Sequence, residues 1–120
     1  MQVRIVPARL DTPLDGARLH PQFIHYPRGG GYFGRHVHPF QPQKIGLIVA
    51  LTASGTHFDT GSTLFWDERD RRLDLDAWQA VGSDTAFRYD LPHAVSGVDT
   101  DAQLAFGTPT GRWVAIMPLH

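Results

Sequence analysis

Three observations predict an all-β fold. Twelve glycines and nine prolines are spread through the 120 residues and cut the chain into short pieces. Those pieces carry either a period-2 alternation of apolar and polar residues or an unbroken apolar run of strand length. Almost no window shows helical periodicity. Nine candidate strands in a chain of this size predict a sandwich or jelly roll, with helix as a minor component.

The elements follow in order. "QVRIV" (2–6) alternates and is read as a strand, and "PARLDTPLDGARLH" (7–20) as an irregular connection. "PQFIHY" (21–26) and "YFGRHVH" (32–38) are strands on either side of Gly29 to Gly31, whose freedom permits a sharp bend or close backbone approach. "KIGLIVALT" (44–52) is apolar on both faces, which marks a central strand. A loop over 53–62 leads to a strand at 63–66, and "DERDRR" (67–72) reads as a solvated hairpin tip. "LDLDAWQAVG" (73–82) offers one helical turn around Ala77 to Ala80, with Asp76 able to cap it. Strands are expected at 84–90, 93–98, 102–106 and, in "RWVAIM", 112–117.

Length and composition bound the function. The chain is one domain, 1–120, large enough for a single core. Its apolar fraction of 42% and charged fraction of 19% are those of a soluble globular protein, and no apolar run approaches the ~20 residues of a membrane helix. "MQVRIVPARL" lacks the apolar core and cleavage site of a signal peptide, so a cytoplasmic location is expected. Without cysteine there is no disulfide, no thiolate nucleophile and no Cys-ligated metal, so any ion must be held by histidines and carboxylates. A net charge of -1 with no basic stripe argues against a nucleic-acid partner. A small-molecule substrate is the expected partner, and exposed edge strands make a homodimer an open option.

Histidines carry the chemistry. Side chains alternate along a strand, so His36 and His38 emerge on one side, within about 7 Å of each other. They can share an ion, or they can be two histidines that happen to share a strand. In "FRYDLPHAV", His93 lies in phase with Phe87, Tyr89, Leu91 and Val95, an apolar face where an imidazole needs a partner, whether a hydrogen bond or a metal. Imidazole suits iron, copper, zinc and nickel alike. His25 is in phase with Phe23 and expected to point inward, whereas His20, His57 and His120 fall in turns or at the terminus. Arg112, Val114 and Ile116 share a face, so the guanidinium starts an otherwise apolar row; turned inward it needs a carboxylate, and the alternative is a surface arginine. Tyr32, Phe40, Phe87 and Trp113 are candidate pocket or core aromatics. Asp84 and Asp90 are the carboxylates near His93, with Asp90 on the opposite strand face.

Taken in order, "HYPRGGGYFGRHVHPF", "FDTGSTLFW", "AFRYDLPHAVSGVD" and "GRWVAIMPL" resemble four segments of the Fe(II)- and 2-oxoglutarate-dependent oxygenases, over roughly residues 21–119. The resemblance implies a double-stranded β-helix, a cupin-like jelly roll. It also implies Fe(II) held by His36, His38 and His93, with 2-oxoglutarate as co-substrate anchored by Arg112. The implied reaction is oxidative decarboxylation to succinate coupled to oxidation of a bound small molecule. His38 stands where that family has a carboxylate, Val114 where many members have a small hydroxyl residue, and the N-terminal elements that cover the substrate in most members are not matched. The same residues also resemble the cupins, which place a glycine ahead of a His-x-His and a glutamate after it; Gly30, His36 and His38 match, and Gln43 stands at the glutamate's place. That likeness implies a three-histidine dioxygenase or isomerase working without oxoglutarate. A third reading is a non-enzymatic ligand-binding jelly roll with structural histidines.

Overall fold

The computed structural model describes residues 21–38 and 45–119. The strand at 2–6, the connection at 7–20, His20, Phe40, Gln43 and His120 lie outside them. Eight strands are found in the described residues: β1 (Gln22–Pro27), β2 (Gly31–His36), β3 (Ile45–Ala50), β4 (Thr63–Trp66), β5 (Arg72–Asp74), β6 (Asp84–Arg88), β7 (His93–Val98) and β8 (Gly111–Leu119). They form two four-stranded antiparallel sheets ordered β1-β8-β3-β6 and β2-β7-β4-β5. Successive strands alternate between the two sheets, except that β4 and β5 are hydrogen-bonded neighbours in the same one, and this is a jelly roll.

The glycine run makes the first crossing. Gly29 and Gly30 have φ of 89° and 111°, values that side chains with a Cβ rarely adopt, and the turn carries the chain from β1 in one sheet to β2 in the other. Their amides bond the carbonyls of Asp99 (3.1 Å) and Val98 (2.8 Å), fixing the bend to the end of β7. β3 pairs on both sides, with β6 and β8, which accounts for its doubly apolar sequence. β8 runs on through Pro118, opposite Gly46 of β3 and beyond Ile116, its last partner on β1 among the described residues. Tyr26, Ile48, Phe58, Phe65, Val95, Val98 and Val114 form the core between the sheets, with Phe87 and Ile116 packed against it.

Several expectations are corrected. No strand forms at 102–106, where the chain runs through turns and irregular backbone. The segment 73–82 contains β5 and then a hydrogen-bonded turn, Trp78 N–H to Leu75 C=O at 3.1 Å, with no helix for Asp76 to cap. The alternation of "FRYDLPHAV" does not lie on one strand: a turn at Leu91, whose amide bonds the Arg88 carbonyl at 3.1 Å, separates β6 in one sheet from β7 in the other. His25 faces outward, stacked on Trp113 at 4.2 Å, because Ile24 and Tyr26 take the inward positions of β1. Phe23 beside it is 73% exposed. No helix among the described residues is long and apolar enough to cross a membrane.

Candidate metal centre

His36 and His93 are direct partners in the register of β2 and β7. From Phe33 to His36 three residues of β2 advance against two of β7, so a bulge sets the histidine at the strand end. His38 lies two residues past β2, and its backbone amide bonds the Tyr89 carbonyl at 3.0 Å, tying it to the β6–β7 connection. The three rings cluster, with centroids separated by 4.9 Å (His36–His38), 4.2 Å (His36–His93) and 5.2 Å (His38–His93). One nitrogen from each lies within 4.8 Å of the others, and among the described residues this is the one group of histidines and carboxylates so arranged.

The hydrogen bonds decide which nitrogens are available. Nδ1–H of His36 donates to the Gly34 carbonyl at 2.6 Å, and Nδ1–H of His93 donates to the Leu91 carbonyl at 2.7 Å. A carbonyl only accepts, so each Nδ1 carries its proton and each Nε2 keeps a free lone pair. This is how protein histidines are oriented toward a metal. Burial lowers the His93 pKa to about 4, helped by the charges of His36 and His38 and opposed by the Leu91 carbonyl. Burial, and then the neighbouring His36, also lower that of His38. Both imidazoles are therefore neutral at pH 7 and can give their electrons to a cation. Three nitrogens about 2.1 Å from one ion stand about 3–3.6 Å apart, so the most widely separated pair must close by about 1–2 Å. The donor set fits a single divalent ion.

The histidines form part of the wall of a cavity of about 320 Å³ between the sheets. Ile24, Ile48, Phe87, Val95, Val114 and Ile116 make most of the rest apolar, and Tyr26, Thr63 and Gln22 bring polar atoms to it. Phe87 packs against His93 (5.0 Å) and Tyr89 against His38 (4.5 Å), so the aromatic connection backs two of the three rings. Gly46 makes this possible: a Cβ there would collide with the rings of Phe87 and Tyr89.

Arg112 is inward and 2% exposed. Its guanidinium is already partnered: Nη1 pairs with the Asp76 carboxylate and Nη2 donates to Thr63 Oγ at 2.6 Å, while Nε–H has no acceptor among the described residues. Asp76 also accepts the Thr63 amide at 3.2 Å. The inward arginine and its need for a carboxylate were legible, but the carboxylate comes from the chain itself, 36 residues away, and no local pattern in the sequence marks Asp76 for it. Thr63 and Gly46 were missed for the same reason. Of the other candidates, Asp84 is exposed, Asp90 pairs with Arg88 at 2.6 Å, Tyr32 is exposed, and Trp113 lies under His25 on the outer face. His57 accepts the Ala53 amide within its own loop.

No protein-family profile matches the chain, and none of the curated proteins matches it. Among solved structures it is similar to a prolyl-4-hydroxylase of Pseudomonas putida, with a TM-score of 0.66 and 16% identity, over 86% of this chain and 51% of that one. It is also similar to an RmlC-like cupin protein of Desulfovibrio desulfuricans, with a TM-score of 0.42 and 15% identity, over 98% and 95% of the two chains. At 16% identity the likeness to the hydroxylase speaks for the fold alone. The chain spans about half the length of the hydroxylase.

Proposed function

We propose that this chain is a mononuclear non-haem iron oxygenase that oxidises a small, largely apolar molecule with dioxygen. The observation carrying the reading is the convergence of three imidazoles, two with their Nε2 lone pairs freed by backbone carbonyls, on the wall of an apolar cavity. His36, His38 and His93 hold the ion, which when bound supplies the activation of O2 that side chains alone cannot. The protein's own part is geometric and electrostatic. The Gly34 and Leu91 carbonyls fix ring orientation, and Phe87 and Tyr89 keep the rings from turning away. The apolar walls keep water out and bind the hydrocarbon part of the substrate. Burial raises the pKa of Tyr26, against the pull of Arg112, so its phenol stays protonated at pH 7 and can donate to an oxygen of the bound molecule.

With 2-oxoglutarate as co-substrate, Arg112 would pair with the distal carboxylate, and Asp76 must give way. Turnover without a keto acid is the second reading, and the internal Arg112–Asp76 pair is what favours it. The test is Fe(II) loading followed by anaerobic titration with 2-oxoglutarate and then O2 uptake. Stoichiometric iron that is lost in His93→Ala supports the centre. A visible charge-transfer band that weakens in Arg112→Ala supports the keto-acid reading, and iron with no band supports the second. A fully folded protein that takes up no iron would leave a binding module and overturn the proposal.

A further inference from the structure

We propose that Asp76 is a built-in counter-ion that sets co-substrate specificity: by holding Arg112 it closes the subsite to the distal carboxylate of a 2-oxo dicarboxylic acid. The inference deepens the metal-centre reading and rests on it only for the arm that uses a bound ion.

The carboxylate is fixed rather than loosely placed. Asp76 sits in a turn held by Asp74, whose Oδ1 accepts the Asp76 amide at 3.1 Å, and by the Leu75 amide on the Thr63 carbonyl at 2.9 Å. Its side chain is 7% exposed, and it accepts from both Arg112 and the Thr63 amide. Thr63 is shared, because its Oγ accepts Arg112 Nη2 while its amide donates to Asp76. Arginine, aspartate and threonine thus close on one another, and Thr63 is the member that reaches the cavity wall. Two of the guanidinium's five N–H groups are already committed, one to Asp76 and one to Thr63, so a second carboxylate would approach a cation whose charge is already matched. It would also leave two buried anions on one cation, which low local polarity disfavours. Arg112 lies over Phe58 at 5.4 Å, so it has no water to screen that excess charge on that side. Charge neutrality is reached inside the fold, and the imidazoles at the other site supply no anion to exchange for it.

The test compares two keto acids on the protein loaded with Ni(II), which binds imidazole without turning over. In the unaltered chain, 2-oxoglutarate and 2-oxobutyrate should bind within about threefold of each other by calorimetry, since the distal carboxylate finds no free cation. In Asp76→Ala, 2-oxoglutarate should become tighter than 2-oxobutyrate by about tenfold or more, and the gain should vanish in Asp76→Ala/Arg112→Met. A tenfold preference for 2-oxoglutarate in the unaltered chain would overturn the proposal, as would a folded Asp76→Ala that gains none. A metal-free arm separates this from the fate of the iron reading. Glutarate should raise the melting temperature of Asp76→Ala and leave the unaltered chain unmoved, and the reverse pattern would count against Asp76. Should Asp76→Ala fail to fold, Asp76→Asn keeps the volume, removes the charge and takes its place, while the comparison on the unaltered chain decides by itself.

Discussion

The histidine cluster and the Arg112 node lie in the same fold, and they are built on opposite plans. At His36 and His93 backbone carbonyls take the Nδ1 proton, which leaves the Nε2 lone pair of each ring to a cation. At Arg112 the chain satisfies its own charge, spending Asp76 and Thr63 on the guanidinium. One region is electrostatically open to a cation and the other is closed to an anion. The difference teaches that a buried polar group marks a binding site only when its complement is not already in the fold.

Breaking the closed region should have the largest effect on stability. Asp76→Ala leaves a buried guanidinium unpaired, at a cost of about 3–5 kcal/mol, read from urea unfolding. Replacing both partners, as in Asp76→Leu/Arg112→Met, should recover most of that loss, because the desolvation of both charges disappears with them. The open region answers differently. His93→Ala should lower Ni(II) affinity by more than the roughly 10–100-fold that loss of an outer hydrogen-bond partner costs a metal site, measured by metal titration. A smaller effect on both regions is expected from Gly46→Ala, where overpacking against Phe87 and Tyr89 costs about 1–3 kcal/mol. Because those rings back His93 and His38, the variant should also weaken metal binding.

How much of this was legible follows from where each signal resides. The strand pattern of β3 and the turn at Gly29 and Gly30 are local, so alternation and glycine placement sufficed. His36 and His38 share a short spacing, and His93 stood out as an imidazole on an apolar row. The row itself was misread: Phe87, Tyr89 and His93 converge because the chain changes sheets at Leu91, which mimics a continuous strand face without being one. β5 is only three residues, Arg72 to Asp74, paired at one edge, and too short to show a period. Asp76 was read by its neighbours as a helix cap, whereas its partner lies on β8. Nothing within a few residues of an aspartate records a contact of that range.

A further way to sharpen the contrast is acid. His93 titrates near 6.5 when unfolded and near 4 when folded, chiefly through burial, so between those values the unfolded chain takes up a proton that the folded chain refuses. The metal-free protein should hold this contribution in full above pH 6.5 and lose it as the pH falls toward 4. The slope is at most about 1.4 kcal/mol per pH unit for one proton. His38, also lowered by burial and by His36, adds in the same direction. Asp99 behaves as a carboxylate whose pKa is lowered: burial opposes the shift, but the amides of Thr60 and Asp59 and the Arg28 guanidinium outweigh it. Its contribution is lost only below the unfolded value of 3.8. Urea midpoints at pH 7.5, 5.5 and 4.5 should therefore fall, and His93→Phe should flatten that fall.

The smallest effect is expected where the same two charges meet in water. Arg35 and Asp70 form an ion pair at 2.7 Å between β2 and the hairpin tip, with side chains 47% and 74% exposed, and Arg35 lies over Trp66 at 4.4 Å. Water already solvates both groups, so their attraction is nearly cancelled by the hydration and freedom they give up; such pairs contribute about 0–1 kcal/mol. Asp70 also holds a φ of 58°, a conformation that asparagine adopts as readily. Asp70→Asn should therefore change stability by less than about 1 kcal/mol, and whatever change remains should shrink between 0.05 and 0.5 M salt. A loss approaching that of Asp76→Ala would mean that exposure is not what separates the two pairs. The assignment of Arg112 as a closed site would then lose its physical basis, because its argument is that a carboxylate beside arginine matters in proportion to the water it has replaced.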